Sequence, residues 1–100
     1  MQLPTINDIR QAHSRIKPFI HHSPVQCPLL LTVLLDCNLF FKCQHFQSLG
    51  AFKFRGATNA VLLFSPEVQS RCALTPSSGN RAAPLAVAAK LHGVKAHNLI

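Results

Sequence analysis

Three strand-like segments alternate with two helical segments in this chain, and this order restricts the possible folds more than any other feature. The strand candidates are residues 38–43, 72–75 and 94–99, and the helical segments cover 51–64 and about 84–92. A strand–helix–strand–helix–strand order is typical of a parallel sheet with helices on its faces. We therefore predict a three-layer α/β fold in which the strands are parallel and the helices pack against them.

Two further helices are predicted before this unit. Apolar residues recur at helical spacing from Ile6 to Ile16, where Thr5 or Asn7 can act as the N-cap and Pro18 ends the helix. Leu29–Leu35 is apolar on every side, which indicates either burial or a missing partner. The segment "SPEVQSR" between the second strand candidate and the helix before it is predicted to be a linker.

Length and charge restrict the class of protein. With 100 residues the chain is predicted to be a single domain, residues 1–100, and ten Lys and Arg against three acids give a net charge of +7. This excess favours an anionic partner, either nucleic acid or a phosphorylated small molecule. The basic residues are scattered, so we expect no nucleic-acid partner. No secretory signal is visible and Leu29–Leu35 is too short to span a bilayer, so we expect a cytoplasmic protein without a membrane partner.

The cysteines and histidines do not indicate a metal site. Cys27, Cys37, Cys43 and Cys72 show no C-x-x-C spacing. We therefore expect free, buried thiols in a reducing compartment. The six histidines are predicted to be ordinary surface or packed residues, and no metal ligand is assigned.

Lys53 stands in an otherwise apolar run, "GAFKFRG", between Phe52 and Phe54. An amine in dry surroundings favours its neutral form, which is a nucleophile and can form a Schiff base with a carbonyl. Gly50 would let the backbone bend towards a ligand, and Gly56 would let the helix pack closely against a strand. The alternative is a lysine that extends from an amphipathic helix into solvent.

The turn "SSGN", residues 77–80, lies between a strand and a helix. In open α/β sheets, ligands bind at the carboxyl ends of the strands, and hydroxyl, amide and backbone groups there offer several donors to an anion. The same residues are also common in ordinary turns and helix caps, so this alternative stays open.

Together these segments resemble a known family. "NLFFKCQHFQSLGAFKFRGATNAV", "SSGN" and "AAKLHGVKA" are similar to the N-terminal third of pyridoxal-phosphate-dependent serine racemases and serine/threonine dehydratases, most of all the plant racemases. The resemblance runs from about Ile9 to Ile100. It implies the incomplete N-terminal part of a tryptophan synthase beta-like, fold type II domain, with pyridoxal 5'-phosphate as cofactor and serine or threonine as substrate.

The resemblance also implies roles for individual residues. Lys53 matches the lysine that holds the cofactor as a Schiff base and moves the substrate α-proton. Phe52 matches the residue beside the cofactor ring, and Asn80 matches the amide that bonds the ring hydroxyl. Ser78 matches the acid/base on the opposite face. The residues matching the substrate-carboxylate loop are Ser77, Ser78, Gly79 and Asn80.

Several positions depart from the family pattern. The family's glycine-rich phosphate loop lies beyond residue 100. Arg81 replaces a histidine, and an arginine can pair with a carboxylate or phosphate but cannot be a base. Pro76 replaces a histidine before the Ser-Ser-Gly-Asn turn, and Pro84 lies near the start of the last helix. Pro84 restricts the backbone of Ala83, so we expect the helix start to shift. Pro28 and Leu29 replace the paired serines of a nucleotide site, so nucleotide regulation is not expected.

Three functions remain open from the sequence. The first is a serine racemase-like enzyme with serine/threonine ammonia-lyase activity, of which this chain is a fragment or relic with little activity alone. The second is a non-enzymatic truncated paralogue that docks on a full-length family member, or dimerises with itself, through exposed apolar surface. The third is a small basic nucleic-acid-binding domain, which requires steeply salt-dependent binding.

Overall fold

The computed structural model describes residues 3–77 and 79–99. Ser78, predicted to act in catalysis and substrate binding, lies outside the described residues. The helices and strands follow in chain order: α1 Ile6–Ile16, β1 Val25–Gln26, α2 Leu29–Leu35, β2 Phe41–Lys42, α3 Phe54–Leu62, α4 Pro66–Gln69, β3 Cys72–Pro76, α5 Ala82–Leu91 and β4 Lys95–Leu99.

Helix α1 begins with the predicted cap. The Thr5 hydroxyl accepts a hydrogen bond from the Asp8 backbone N–H at 3.3 Å, and the Asp8 carboxylate accepts one from the Thr5 backbone N–H at 2.7 Å. This reciprocal pair is a capping box, which satisfies N–H groups that a helix leaves without partners. The α-helix ends at Ile16, and Pro18 follows in a short 3₁₀ turn, so the predicted boundaries are confirmed.

Strands β3 and β4 form a parallel pair joined by α5, which confirms the two strands predicted at 72–75 and 94–99. Their register places Cys72 opposite Lys95 and Pro76 opposite Leu99. Parallel neighbours need a crossover connection, and α5 provides it. Helix α5 packs against both strands and against α3.

The prediction of a parallel strand at residues 38–43 is wrong. Only Phe41–Lys42 is extended in a ladder, and it pairs antiparallel with Val25–Gln26. This two-residue ribbon is separate from the β3–β4 sheet. The aromatic run gave a correct local preference for extended backbone, but the partner is a segment that sequence periodicity did not reveal.

The core lies where α3 and α5 meet the sheet. Its buried cluster is Phe54, Val61, Ala73, Ala88, Ala89 and Val94. Helix α3 is shorter than the predicted 51–64, because it begins only after Lys53. Helix α1 packs on the other helices through α3, where the Arg15 guanidinium donates a hydrogen bond to the Asn59 side-chain oxygen.

Pro84 does not delay the start of α5. The helix begins at Ala82, so Pro84 is its third residue, where a helix N–H has no intrahelical partner in any case. At the other end, Gly93 has φ +69°, the Gly93 N–H bonds to Lys90 O at 3.3 Å and the Val94 N–H bonds to Ala89 O at 2.8 Å. These bonds form a Schellman motif, in which Gly93 supplies the left-handed residue that ends the helix.

Helix α2 has the predicted bounds but no buried residue. Its leucines and valine are largely exposed, from 39% at Leu31 to 76% at Leu29. Of the two explanations for the apolar surface of α2, the structure therefore favours a missing partner over burial within this chain. Among the described residues, no helix is long and apolar enough to cross a membrane.

Two smaller predictions need correction. The expected linker "SPEVQSR" contains a short helix, α4, because the Ser65 hydroxyl caps it by accepting from the Val68 N–H. The cysteines are free as predicted, but only Cys43 is buried, since the other three lie on exposed segments.

Candidate functional site

A cleft of about 570 Å³ lies between α3, β3 and the start of α5. Its walls are mostly small or apolar side chains with two cations. The lining residues are Phe52, Lys53, Gly56, Ala57, Ala60, Phe64, Ala73, Leu74, Thr75, Arg81 and Leu85. The carboxyl end of β3 and the amino end of α5 thus meet at this cleft, as ligand sites in open α/β sheets do.

Lys53 is half-buried and lies in the cleft wall, at the N-cap of α3. Its backbone carbonyl accepts a hydrogen bond from the Ala57 N–H at 3.0 Å, which anchors its backbone to the first turn of the helix. The amine lies 5.8 Å from the centre of the Phe52 ring. An ammonium at this distance is attracted to an aromatic face, so the ring helps to hold the amine at the cleft.

The backbone before Lys53 bends sharply. Leu49 and Gly50 both have φ +61°, in the left-handed region that glycine adopts without strain. The predicted bend at Gly50 is therefore confirmed. A Cβ on Gly50 would lie 3.6 Å from His45 O, so space alone would tolerate it and the positive φ is the reason for glycine.

Gly56 has a different role from the predicted one. A Cβ built on it would meet nothing within 4 Å, so it does not permit close contact between helix and strand. Instead it is exposed and lines the cleft, and together with Ala57 and Ala60 it leaves the α3 wall shallow. A flat ligand could lie against this wall.

The described residues of the Ser-Ser-Gly-Asn segment come between the lining residues Thr75 and Arg81 in the chain, but they do not line the cleft. Ser77 is half-buried, Gly79 and Asn80 are exposed, and none of these three is a lining residue. The Gly79 carbonyl accepts from the Ala82 N–H at 2.9 Å, so the turn also starts α5. The ligand-binding roles of Ser77, Gly79 and Asn80 remain predictions.

Arg81 and Thr75 also line the cleft. The sequence indicated that Arg81 can pair with a carboxylate or phosphate, and it assigned no role to Thr75. Arg81 directly follows the Ser-Gly-Asn turn, and Thr75 lies near the carboxyl end of β3 with 8% of its surface exposed. Their positions on either side of the Ser-Ser-Gly-Asn segment are the sequence feature that could have identified them as cleft residues. Lys53 and Arg81 are the charged lining residues, and none of the chain's three acids lines the cleft. The cleft therefore favours anions.

Comparison with known proteins agrees with this geometry. The model of the family described as "Pyridoxal-phosphate dependent enzyme" matches residues 16–100. The chain belongs to that family. A serine racemase of Arabidopsis thaliana is 47% identical over 95 residues, which is 95% of this chain and 29% of the relative. A beta-hydroxyaspartate dehydratase of Paracoccus denitrificans is 46% identical, over 94% of this chain and 30% of the relative.

A solved structure supports the same assignment. Maize serine racemase superposes with a TM-score of 0.89 and 45% identity, covering 93% of this chain and 29% of that one. The chain thus spans less than a third of the length of these family members. The predicted fold class is confirmed, since the chain is a partial α/β domain of the fold type II pyridoxal-phosphate enzymes.

The cleft residues fit part of this cofactor. The Lys53 amine suits its aldehyde, and the shallow wall at Gly56 leaves space for its planar ring. Arg81 is the second cation that could contact its anionic group. Among the described residues, no group of three or more His, Cys, Asp or Glu could hold a metal ion.

Proposed function

We propose that this chain forms the lysine-bearing part of a pyridoxal-phosphate enzyme that interconverts L- and D-serine, with serine/threonine ammonia-lyase side activity. The observation that carries the proposal is the convergence of Lys53 with the end of β3 and the start of α5 on one cleft. The similarity to a plant serine racemase and to a dehydratase supports the reaction class. We further propose that the protein works in the cytosol, consistent with its four free cysteines.

The residues would divide the work as follows. Lys53 would bind the cofactor through its amine and then remove or return the substrate α-proton on one face. Bound pyridoxal phosphate would supply an electron sink for the negative charge at the α-carbon. Phe52 would flank the ring, and Asn80 would bond its hydroxyl. Ser78 would hold the proton on the opposite face.

The substrate carboxylate would be held by the Ser77–Asn80 turn. This segment lies at the N-terminal end of α5, where backbone N–H groups and the helix dipole favour an anion. Return of the α-proton on the opposite face inverts the amino acid, whereas loss of the β-hydroxyl leads to ammonia and a keto acid. Both outcomes begin with proton removal by Lys53, so one site can serve both reactions.

We propose that the 100-residue chain alone has little or no turnover. Among the described cleft residues, Arg81 is the one cation besides Lys53 that could hold the cofactor phosphate. Each missing charge-assisted hydrogen bond weakens binding by roughly 1.5–3 kcal/mol, so loss of several lowers affinity by orders of magnitude. A poorly oriented cofactor also loses the positioning on which the rate depends.

Reductive labelling tests this proposal. The purified chain is incubated with pyridoxal phosphate and reduced with borohydride, and the modified lysine is located by peptide mapping. We expect labelling at Lys53, its loss in Lys53→Ala, and no loss in the control Lys90→Ala, which changes an exposed lysine of α5 outside the cleft. Labelling spread evenly over all lysines contradicts a cofactor site in this chain.

Activity is assayed in parallel through D-serine and keto-acid formation. We expect turnover near background for the isolated chain. Robust turnover that Lys53→Ala abolishes would confirm the cofactor site and contradict the proposed inactivity of the 100-residue chain.

The second candidate is a non-enzymatic paralogue that docks on a full-length family member. The exposure of every apolar side chain of α2 favours it. We expect the chain to co-purify with a full-length serine racemase, and Leu30→Gln with Leu34→Gln to reduce the amount recovered. Equal recovery of this double variant would exclude α2 as the docking surface.

A further inference from the structure

A second concavity lies away from the cleft, and we call it the basic pocket. It has a volume of about 170 Å³ and shares no lining residue with the cleft. Its lining residues are His13, Lys17, Ile20, His21, His22 and Arg55. Five of these six side chains are basic, and they come from α1, from the segment that follows it and from the first turn of α3.

The charges of the basic pocket are not balanced within it. The chain has three acidic residues, and none of them lines the pocket. Asp8 lies on α1, but its carboxylate is engaged by the hydroxyl and the backbone N–H of Thr5. Lys17 and Arg55 both line this small pocket, and no acidic side chain lines it with them, so an anion bound there would be attracted to both charges.

Arg55 gives a second, independent indication. Its Nε atom is buried and has no hydrogen-bond partner among the described residues. A buried donor normally has a partner, and because no acceptor in the described part of the chain engages this nitrogen, the guanidinium charge is not compensated there and stays available to attract an anion at the pocket. The guanidinium is planar and matches the oxygen atoms of an oxyanion in a two-point contact.

His21 lies at the rim of the pocket and is held in place by the Gln47 side chain. Its backbone N–H and C=O both bond to the Gln47 side chain at 2.9 Å, and its ring Nδ1 lies 3.2 Å from Phe46 O. These contacts hold the His21 backbone and favour one orientation of its ring before any ligand arrives. Such preorganisation lowers the cost of binding.

We propose that the basic pocket binds a phosphate group, with Lys17 and Arg55 as the charged contacts and the histidine rings as its walls. Its volume is below the roughly 300 Å³ at which pockets for drug-sized ligands begin, so it suits a small oxyanion. The same chemistry serves a free phosphate or a phosphate monoester. Pyridoxal phosphate bound at Lys53 would occupy the separate cleft.

The test is an NMR titration of the ¹⁵N-labelled chain with inorganic phosphate at constant pH, with sodium chloride adjusted to hold ionic strength constant. No pyridoxal phosphate is added, so the result is independent of the cofactor proposal. We expect saturable shifts of one-to-one stoichiometry, centred on the backbone of Lys17 and His21 and on the Nε–H of Arg55. Glycerol 2-phosphate is titrated in parallel, and the tighter ligand identifies the source as free phosphate or monoester.

Substitutions locate the site. Lys17 is exposed, so we expect Lys17→Gln to keep the fold and to weaken phosphate binding about three- to tenfold. His13→Gln is a second exposed variant of the pocket, and we expect it to weaken binding as well. Lys90→Gln changes an exposed lysine outside the pocket and should leave binding unchanged. The proposal is overturned if the phosphate-induced NMR shifts do not saturate or if they centre on Arg81. It is also overturned if Lys17→Gln binds phosphate as tightly as the unchanged chain.

Discussion

The side-chain amide of Gln47 pairs with the backbone of His21 in both directions. The His21 N–H donates to Gln47 Oε1 and the Gln47 amide donates to His21 O, each at 2.9 Å. Gln47 is 3% exposed whereas His21 is exposed, so these bonds are partly buried. They join the loop that leads to Lys53 with the segment that follows α1. One buried amide thus fixes the approach to both the cleft and the basic pocket.

Replacing this amide should destabilise the protein. Gln47→Ala removes both hydrogen bonds to the His21 backbone, and each such bond contributes about 0.5–1.5 kcal/mol. We expect the free energy of unfolding, measured by urea titration, to fall by about 1–3 kcal/mol. The matched control is Gln11→Ala, an exposed position of α1, which should change it by less than about 0.5 kcal/mol. Equal losses in the two variants would contradict a structural role for the Gln47–His21 pair.

Two substitutions of Gly56 should test stability and access to the cleft separately. Alanine is a better helix former and its Cβ would meet nothing within 4 Å, so Gly56→Ala should raise the free energy of unfolding by about 0.5–1 kcal/mol. Gly56→Leu places a larger side chain in the cleft and should slow reductive labelling of Lys53 by pyridoxal phosphate. A labelling rate for Gly56→Leu equal to that of the unchanged chain would show that this wall does not bound the ligand space.

The capping box of α1 should make stability depend on acid. Hydrogen bonds from the Thr5 hydroxyl, and from its backbone N–H, lower the pKa of the Asp8 carboxyl below its usual 3.8. Because the pKa of Asp8 is lower in the folded protein than in the unfolded chain, its contribution to stability is complete at pH values above its unfolded pKa. This contribution is lost as the pH falls through the pKa that Asp8 has in the folded protein.

Thr5→Val removes the hydroxyl and Thr5→Ser keeps it, so these variants form a matched pair. The urea midpoint, followed across this acidic range, should show a weaker acid dependence for Thr5→Val. The Thr5→Ser variant should follow the unchanged chain. Parallel curves for both variants would mean that the hydroxyl does not couple to Asp8.

Helix α2 should promote self-association. Leu30 and Leu34 lie one turn apart and are 70% and 67% exposed, within a helix that has no buried residue. Exposed apolar patches of this kind favour association. We expect sedimentation velocity to show less dimer or aggregate for Leu30→Gln with Leu34→Gln. The control Leu63→Gln removes a single leucine with 59% exposure and should have little effect. No decrease in the double variant would place the contact elsewhere.

Features set by neighbouring residues were determined by the sequence itself. The capping box at Thr5, the end of α1 before Pro18, the strand at residues 72–75 and the left-handed residue at Gly93 all follow from local chemistry. The family resemblance also lies in contiguous motifs, which the comparisons confirm. These features depend on hydrogen bonds and dihedral preferences within a few residues.

Features that depend on distant partners were decided only by the tertiary structure. Phe41–Lys42 pairs with Val25–Gln26 instead of joining the parallel sheet, because strand pairing depends on which segments meet. Gly56 faces open space rather than a strand, and Arg81 lines the cleft whereas Asn80 does not. Local sequence sets which backbone conformations are favourable, but the packing of α3, α5 and β3 sets which side chains share a space.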